Sequence, residues 1–359
     1  MTTIFGALGV NDHDYVFRGT IGQDVIYTTI TDYVARVQAD LAGQMQVFVA
    51  ETTENYKERY KLPAGGRMQR IGRGVYPGVT KRIGSWDVAY PLESFGDGLA
   101  ADDITQAYMT AEELQRHIDT IVTHSINTQR FEMLRALLNN TARTFIDDDW
   151  GSLTIQPLAN GDTVTYPPVL GSEDAATDNH YLESGYAAAS ISDTNNPFRT
   201  MRNELDEHFG ASTGGDNVVV MINEAQTPVS VDLTEMTDVP DNFIRVGDST
   251  NVPVGYPPIP RTARIVGRCS GVWVVEWAWI PANYMLGIYI GEPAPLKMRV
   301  DPAAVGLGQG LQLVKEDNEF PMRKSYWRNR FGFGVGNRLN GVVMELGVGG
   351  TYTIPSGYA

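Results

Sequence analysis

Cysteine is almost absent, with Cys269 the only one in 359 residues. This excludes an internal disulfide and any cysteine-based zinc cluster, so packing and association must hold the protein together. Long apolar runs are missing too, none approaching the roughly 20 residues a bilayer span requires. The most apolar stretch, residues 271–281, is short, carries Glu276 and is rich in valine and tryptophan, which reads as a buried strand. No basic segment precedes the few apolar residues at positions 1–10, so the start does not read as a secretory signal. Synthesis in the cytoplasm, with no membrane partner, is expected. An excess of positive charge is also lacking. The formal charge of -15 argues against a freely diffusing nucleic-acid binder, which needs clustered Lys and Arg.

What is present is an ordinary folding composition, with 42% hydrophobic residues, 10% aromatics and a mean hydropathy of -0.21. The length fits one large or two interlocked domains. The charge is blocked along the chain. Residues 57–86 carry Lys57, Arg59, Lys61, Arg67, Arg70, Arg73, Lys81 and Arg82 against the single acid Glu58. Residues 87–113 carry only acids, residues 147–248 are strongly acidic, and residues 322–338 are basic without an acid. Alternating blocks of this kind favour charge-complementary contact between copies or with an anionic interior.

The pattern of elements is α+β. In the first 46 residues only positions 32–41 show a helical face, so this part reads as an extended arm. Residues 62–82, rich in Gly and Pro and carrying most of the basic block, suit a long twisted hairpin that must find a partner. Residues 110–140 give the strongest helix signal. Thr110 and Glu113 form a capping-box pattern, and Leu114, Ile118, Ile121, Val122, Ser125 and Gln129 follow one stripe, continued by Met133 and Leu137. A second helix is expected from Asn196 as N-cap, with Pro197 at its first position and Gly210 as terminator. Val218 to Ile222 reads as a buried strand, segments 265–266, 272–277 and 284–290 as an antiparallel meander, and segments 296–300, 311–315, 328–335 and 342–346 as further strands.

This order of elements resembles the Hong Kong 97-type major capsid proteins of tailed phages. The run from Lys324 through Trp327, Arg328, Arg330, Phe331, Gly332 and Gly334 to Leu346 is similar to the family's closing strands, and residues 272–300 to the part before them. The resemblance implies an N-terminal arm (1–47), an extended loop lying over a neighbouring subunit (48–95) and a peripheral domain (96–194) with a spine helix at 110–140. An axial domain (195–292) would meet its copies around five-fold and six-fold axes, and return strands with a tail (293–359) would close the chain. It implies a shell protein of the virion, not an enzyme, with copies of itself in hexamers and pentamers as partners. Separate scaffold, portal and decoration proteins, and non-specific DNA on the inner face, complete the expected set. Contact residues of the loop are expected at Arg67, Arg70, Arg73, Lys81 and Arg82. An encapsulin-type nanocompartment has the same implied fold and is the alternative.

The catalytic motifs have weaker support. Ser212 has the spacing of a serine-hydrolase elbow, but a helix precedes it and a strand follows, the reverse of what that elbow needs. Cys269 has the equivalent cysteine spacing inside a hairpin turn. His117 and His124 share a helix face without a third ligand, and His13, His180 and His208 show no metal-ligand pattern. The glycines at 306, 308 and 310 and at 332, 334 and 336 open no helix, so turns or close packing explain them better than a dinucleotide site. No cofactor or metal is expected. The family's covalent cross-link would place Lys81 opposite Asn337 or Asn340 of a neighbour, which no spacing supports.

Overall fold

The computed structural model describes the chain apart from residues 1–22, 62–69, 75, 77–84, 103–109, 167–176, 210–216, 239–256, 258, 261 and 318–321. Its helices are α1 (Gln23–Met45), α2 (Ala111–Leu138), α3 (Pro197–Phe209) and the short α4 (Thr227–Val231). Its strands begin with β1 (Val49–Thr53), β2 (Lys57–Lys61), β3 (Ser85–Ala89), β4 (Glu93–Asp102), β5 (Arg143–Asp147), β6 (Gly151–Ile155), β7 (Tyr181–Glu183) and β8 (Val218–Ile222). They continue with β9 (Met236–Asp238), β10 (Arg264–Cys269), β11 (Val272–Glu276), β12 (Tyr284–Tyr289), β13 (Leu296–Arg299), β14 (Gln312–Asp317), β15 (Met322–Val335) and β16 (Val342–Glu345). The chain forms two compact units. One is built from residues up to Gly43, Glu93–Arg130 and Asp301–Phe331, the other from Gln44–Leu92, Phe131–Val300 and Gly332–Ala359.

In the first unit, β15 is flanked by antiparallel β4, in register from Glu93↔Phe331 to Asp102↔Met322, and by antiparallel β14. Helix α1 corrects the expectation of an extended arm. Ile30, Val34, Val37 and Leu41 recur at helical spacing, and the first three join Ile118, Ile121, Val122, Leu311 and Trp327 in one apolar cluster. Threonines and Asp32 dilute that stripe in the sequence, so only its middle was legible. The capping box forms as expected: Glu113 N donates to Thr110 Oγ1 at 3.2 Å, and Thr110 N to Glu113 Oε2 at 2.9 Å.

The second unit holds the far end of α2, where Met133, Leu134, Leu137 and Leu138 are buried. The last carbonyls of a helix lack intrahelical donors. Here tyrosine hydroxyls supply them: Tyr352 donates to Leu138 O at 2.6 Å, and Tyr181 lies within hydrogen-bond distance of Leu137 O and Asn139 O. A seven-stranded sheet follows the order β7-β16-β12-β8-β11-β10-β9. The expected meander is therefore interrupted, because β8 lies between β11, its parallel neighbour, and β12, its antiparallel one. Every residue of β8 is buried, as expected of a strand covered on both faces. Phe198, Met201 and Leu205 of α3 pack in the same core as Val218, Val220, Val274, Met285 and Met344. The α3 cap is Asn196, whose Oδ1 accepts from Phe198 N at 3.0 Å.

In the same unit β1 pairs parallel with β13, and β13 antiparallel with the last four residues of β15. Here a Cβ on Gly332 would overlap the Pro91 carbonyl, and one on Gly334 the Tyr90 ring, so close packing accounts for these glycines. Gly306, Gly308 and Gly310 all have positive φ, which accounts for the other set.

Candidate intersubunit surface

The basic hairpin starts where β2 and β3 pair antiparallel, from Lys57↔Ala89 to Lys61↔Ser85. The alternation of Lys-Glu-Arg-Tyr-Lys along β2 sorts its side chains onto two faces. On the outer face, Asp87 receives Arg59 Nε at 2.6 Å, Arg59 Nη2 at 2.9 Å and Lys57 Nζ at 2.7 Å. The Arg59 guanidinium and the Lys57 ammonium hold the Asp87 carboxyl well below the usual carboxylate range. Part of the basic block is thus neutralised within the subunit by the first acid of the next block.

On the inner face, Glu58 Oε2 accepts from Tyr60 Oη at 3.0 Å, Tyr90 Oη at 3.0 Å and Lys297 Nζ at 2.9 Å, and Lys297 also meets Glu51 at 2.6 Å. Burial by itself would raise the Glu58 carboxyl, but Lys297, the Tyr60 hydroxyl and the Asn55 amide bring it below its ordinary value. Burial would likewise lower the Lys297 ammonium, and the two carboxylates turn that into a rise. Tyr60 stacks on Trp86 at 5.7 Å, and Trp86 meets Tyr166 edge-on at 5.4 Å. The base of the hairpin is therefore anchored firmly to β1 and β13.

Beyond the base, Arg70, Ile71, Arg73 and Tyr76 are exposed, Tyr76 at 93%. Arg67, Lys81 and Arg82 lie outside the described residues. On the acidic side, several residues of the 147–248 block turn inward instead of presenting charge. Asp147 meets Arg299 at 2.7 Å, and Asp162 meets the buried guanidinium of Arg338 at 2.8 Å. What remains outward on the β5–β6 turn is Asp148 and Asp149 beside Ile146, 77% exposed, and Trp150, which stacks on Tyr56 at 4.2 Å. Sequence reasoning missed this apolar and acidic knuckle. The phase of Arg143-Thr-Phe-Ile-Asp, with Phe145 and Asp147 inward and Ile146 outward, was its one signal.

Searches of family models and of curated proteins found no match. Solved structures do match. A chain from Mycobacterium phage Patience superposes with a TM-score of 0.70 at 18% identity, over 96% of this chain and 95% of that one. A chain from the asymmetric unit of the bacteriophage PhiM1 mature capsid gives a TM-score of 0.52 at 10% identity, over 84% and 86%. The fold is that of the Hong Kong 97-type phage capsid proteins.

The structure describes only some of the residues weighed as catalytic or metal-binding. Ser212 lies outside the described residues. Cys269 is fully buried, and burial pushes its thiol up, away from the reactive thiolate. His124 Nδ1 is 2.8 Å from Asp97 Oδ2, and His117 is exposed. Asn340 is buried with Oδ1 accepting from Tyr289 N and Nδ2 donating to Tyr289 O and Pro293 O, so it pins backbone, as Asn337 does through Pro293 O. Lys81, their imagined partner, lies outside the described residues. One cluster went unseen in the sequence: the structure brings Asp178 and Glu204 to His180.

Proposed function

We propose that this chain is the major capsid protein of a tailed bacteriophage, a subunit that assembles with its copies into the icosahedral head shell around DNA. The observation that carries the reading is a fold shared over 96% of this chain with a chain from Mycobacterium phage Patience. Arg70, Ile71, Arg73 and Tyr76, exposed beyond the anchored β2–β3 pair, support it further, because such surface is stabilised by burial against a neighbour. In this reading residues 1–47 are the arm, 48–95 the loop over the neighbour, 96–194 the peripheral domain, 195–292 the axial domain and 293–359 the return strands and tail. Arg67, Arg70, Arg73, Lys81 and Arg82 make intersubunit contact, with no catalytic role anywhere. Hexamers and pentamers of the chain, a separate scaffold, portal and decoration proteins, and non-specific DNA inside the shell are its partners in the virion. Among the described residues no helix is long and apolar enough to cross a membrane.

The test is sedimentation and electron microscopy of the expressed protein, with and without a co-expressed scaffold. Megadalton shells, capsomers or sheets are expected. A homogeneous monomer at high concentration under both conditions would overturn the proposal.

A further inference from the structure

Asp178, His180 and Glu204 present ligand atoms that all lie within 4.8 Å of one another. The backbone of His180 is held on both sides, its amide donating to Ala159 O and its carbonyl accepting from Val343 N. Its side chain has no exposed surface. Nδ1 stands 2.7 Å from the carbonyl of Gly341, which can only accept, so Nδ1 carries a proton. A ring fixed in this way by a backbone carbonyl aims its other nitrogen, which is the usual support of a metal-ligating histidine. That other nitrogen, Nε2, faces Asp178 Oδ2 at 2.8 Å. Asp178 is itself oriented, since its Oδ1 accepts from Asn179 N at 2.8 Å. Glu204, half-buried on α3, completes the group.

One imidazole and two carboxylates form a mixed nitrogen and oxygen donor set whose two negative charges balance a divalent cation. The imidazole disfavours calcium and magnesium, and the lack of a thiolate removes the soft-metal preference. With ligand bonds of about 2.0–2.2 Å, one ion reaches all three residues after a small adjustment of the flexible Glu204 side chain.

We propose that Asp178, His180 and Glu204 bind a divalent transition-metal cation of the zinc and manganese class. The ion ties three stretches of one unit together, namely the segment entering β7, helix α3 and the turn at Gly341 before β16. Its competitor is a proton on Nε2 shared with Asp178, which leaves to solvent when the cation binds.

The experiment uses the full chain, stripped with chelator and then given zinc chloride alone, with bound metal measured after gel filtration and cobalt(II) absorption as the spectroscopic probe. About one cation per chain, cobalt bands of a nitrogen and oxygen ligand field, and a zinc-dependent rise in melting temperature are expected. Glu204→Gln and Asp178→Asn preserve size. Each should weaken zinc binding by at least about 10-fold, because loss of a direct ligand exceeds the effect of losing an outer partner, with Glu204→Gln melting like the parent in chelator. His180→Gln removes a buried ring and risks the fold, so the two carboxylate variants decide. Zinc retention no greater than the chelator-treated blank would overturn the proposal. So would zinc binding unchanged in both variants, which would place the ion on other histidines such as His117 or His124.

Discussion

Arg299 Nη1 and Asp147 Oδ2 meet at 2.7 Å, with only 7% and 6% of their side chains exposed. The same nitrogen donates to Tyr90 O at 2.9 Å, and Asp147 Oδ1 accepts from the amides of Asp149 and Trp150. One buried pair thus joins β13, the end of β5 and the segment that follows β3. Removing one partner strands the other charge, so Asp147→Asn or Arg299→Met should destabilise the subunit by about 3–5 kcal/mol in chemical denaturation. Parent-like stability in both would mean that water already reaches the pair.

The pair also sets an acid limit. Burial alone would raise the Asp147 carboxyl, but Arg299 and the two amides bring it below its ordinary value. A carboxyl with a depressed folded pKa contributes stability above its unfolded pKa and loses it as pH falls through the folded value. Subunit stability should therefore be flat in this respect above about pH 5 and fall below about pH 4, with Asp147→Asn flattening the acid limb. Melting curves between pH 3 and 7 for parent and variant check this.

Helix α2 separates fold from surface. Ile118 is 5% exposed in the apolar cluster with Trp327, so Ile118→Ala should cost about 2–5 kcal/mol and much of the soluble yield. Arg116, 60% exposed and paired with Glu112 one turn away, should change stability by about 0.5 kcal/mol or less on truncation to Ala. Equal melting of the two variants would remove the helix stripe from the core.

The tyrosine hydroxyls at the end of α2 can be tested without changing shape. Tyr352→Phe leaves the Leu138 carbonyl buried and without that donor and should cost about 1–3 kcal/mol. Little change would show that water takes over the contact.

Assembly should depend on the outward basic segment. Arg67, Arg70 and Arg73 changed together to Glu should weaken or block shell formation while the far-ultraviolet spectrum of the subunit stays that of the parent. Normal shells from this triple variant would place the docking contact elsewhere.

Local signals were legible where chemistry acts within a few residues. The capping box of Thr110 and Glu113, the Asn196 cap and the buried run of β8 all read directly from the chain. Relations between distant segments did not. Nothing in residues 218–222 and 264–289 says that β8 slips between β11 and β12, because any of these apolar strands could occupy the centre. Charge blocks misled in a similar way. Asp147, Asp162 and Arg338 belong to strongly charged runs, yet their partners lie about 150 to 180 residues away and draw them inside. His180 was weighed and set aside because Glu204 reaches it from a helix, and neither position carries a spacing that predicts the encounter.

The burial of Cys269 has a practical side. Its sulfur sits beneath Asn196 and Ser270 with no exposed surface and a thiol pushed upward, so at neutral pH it should be slow toward maleimides. The native chain therefore offers no competing handle. A cysteine placed at Tyr76, 93% exposed, would react alone and carry a fluorophore or spin label. Its mobility in free protein and in sedimented particles would then report, from one position, how tightly the hairpin is gripped by whatever it meets.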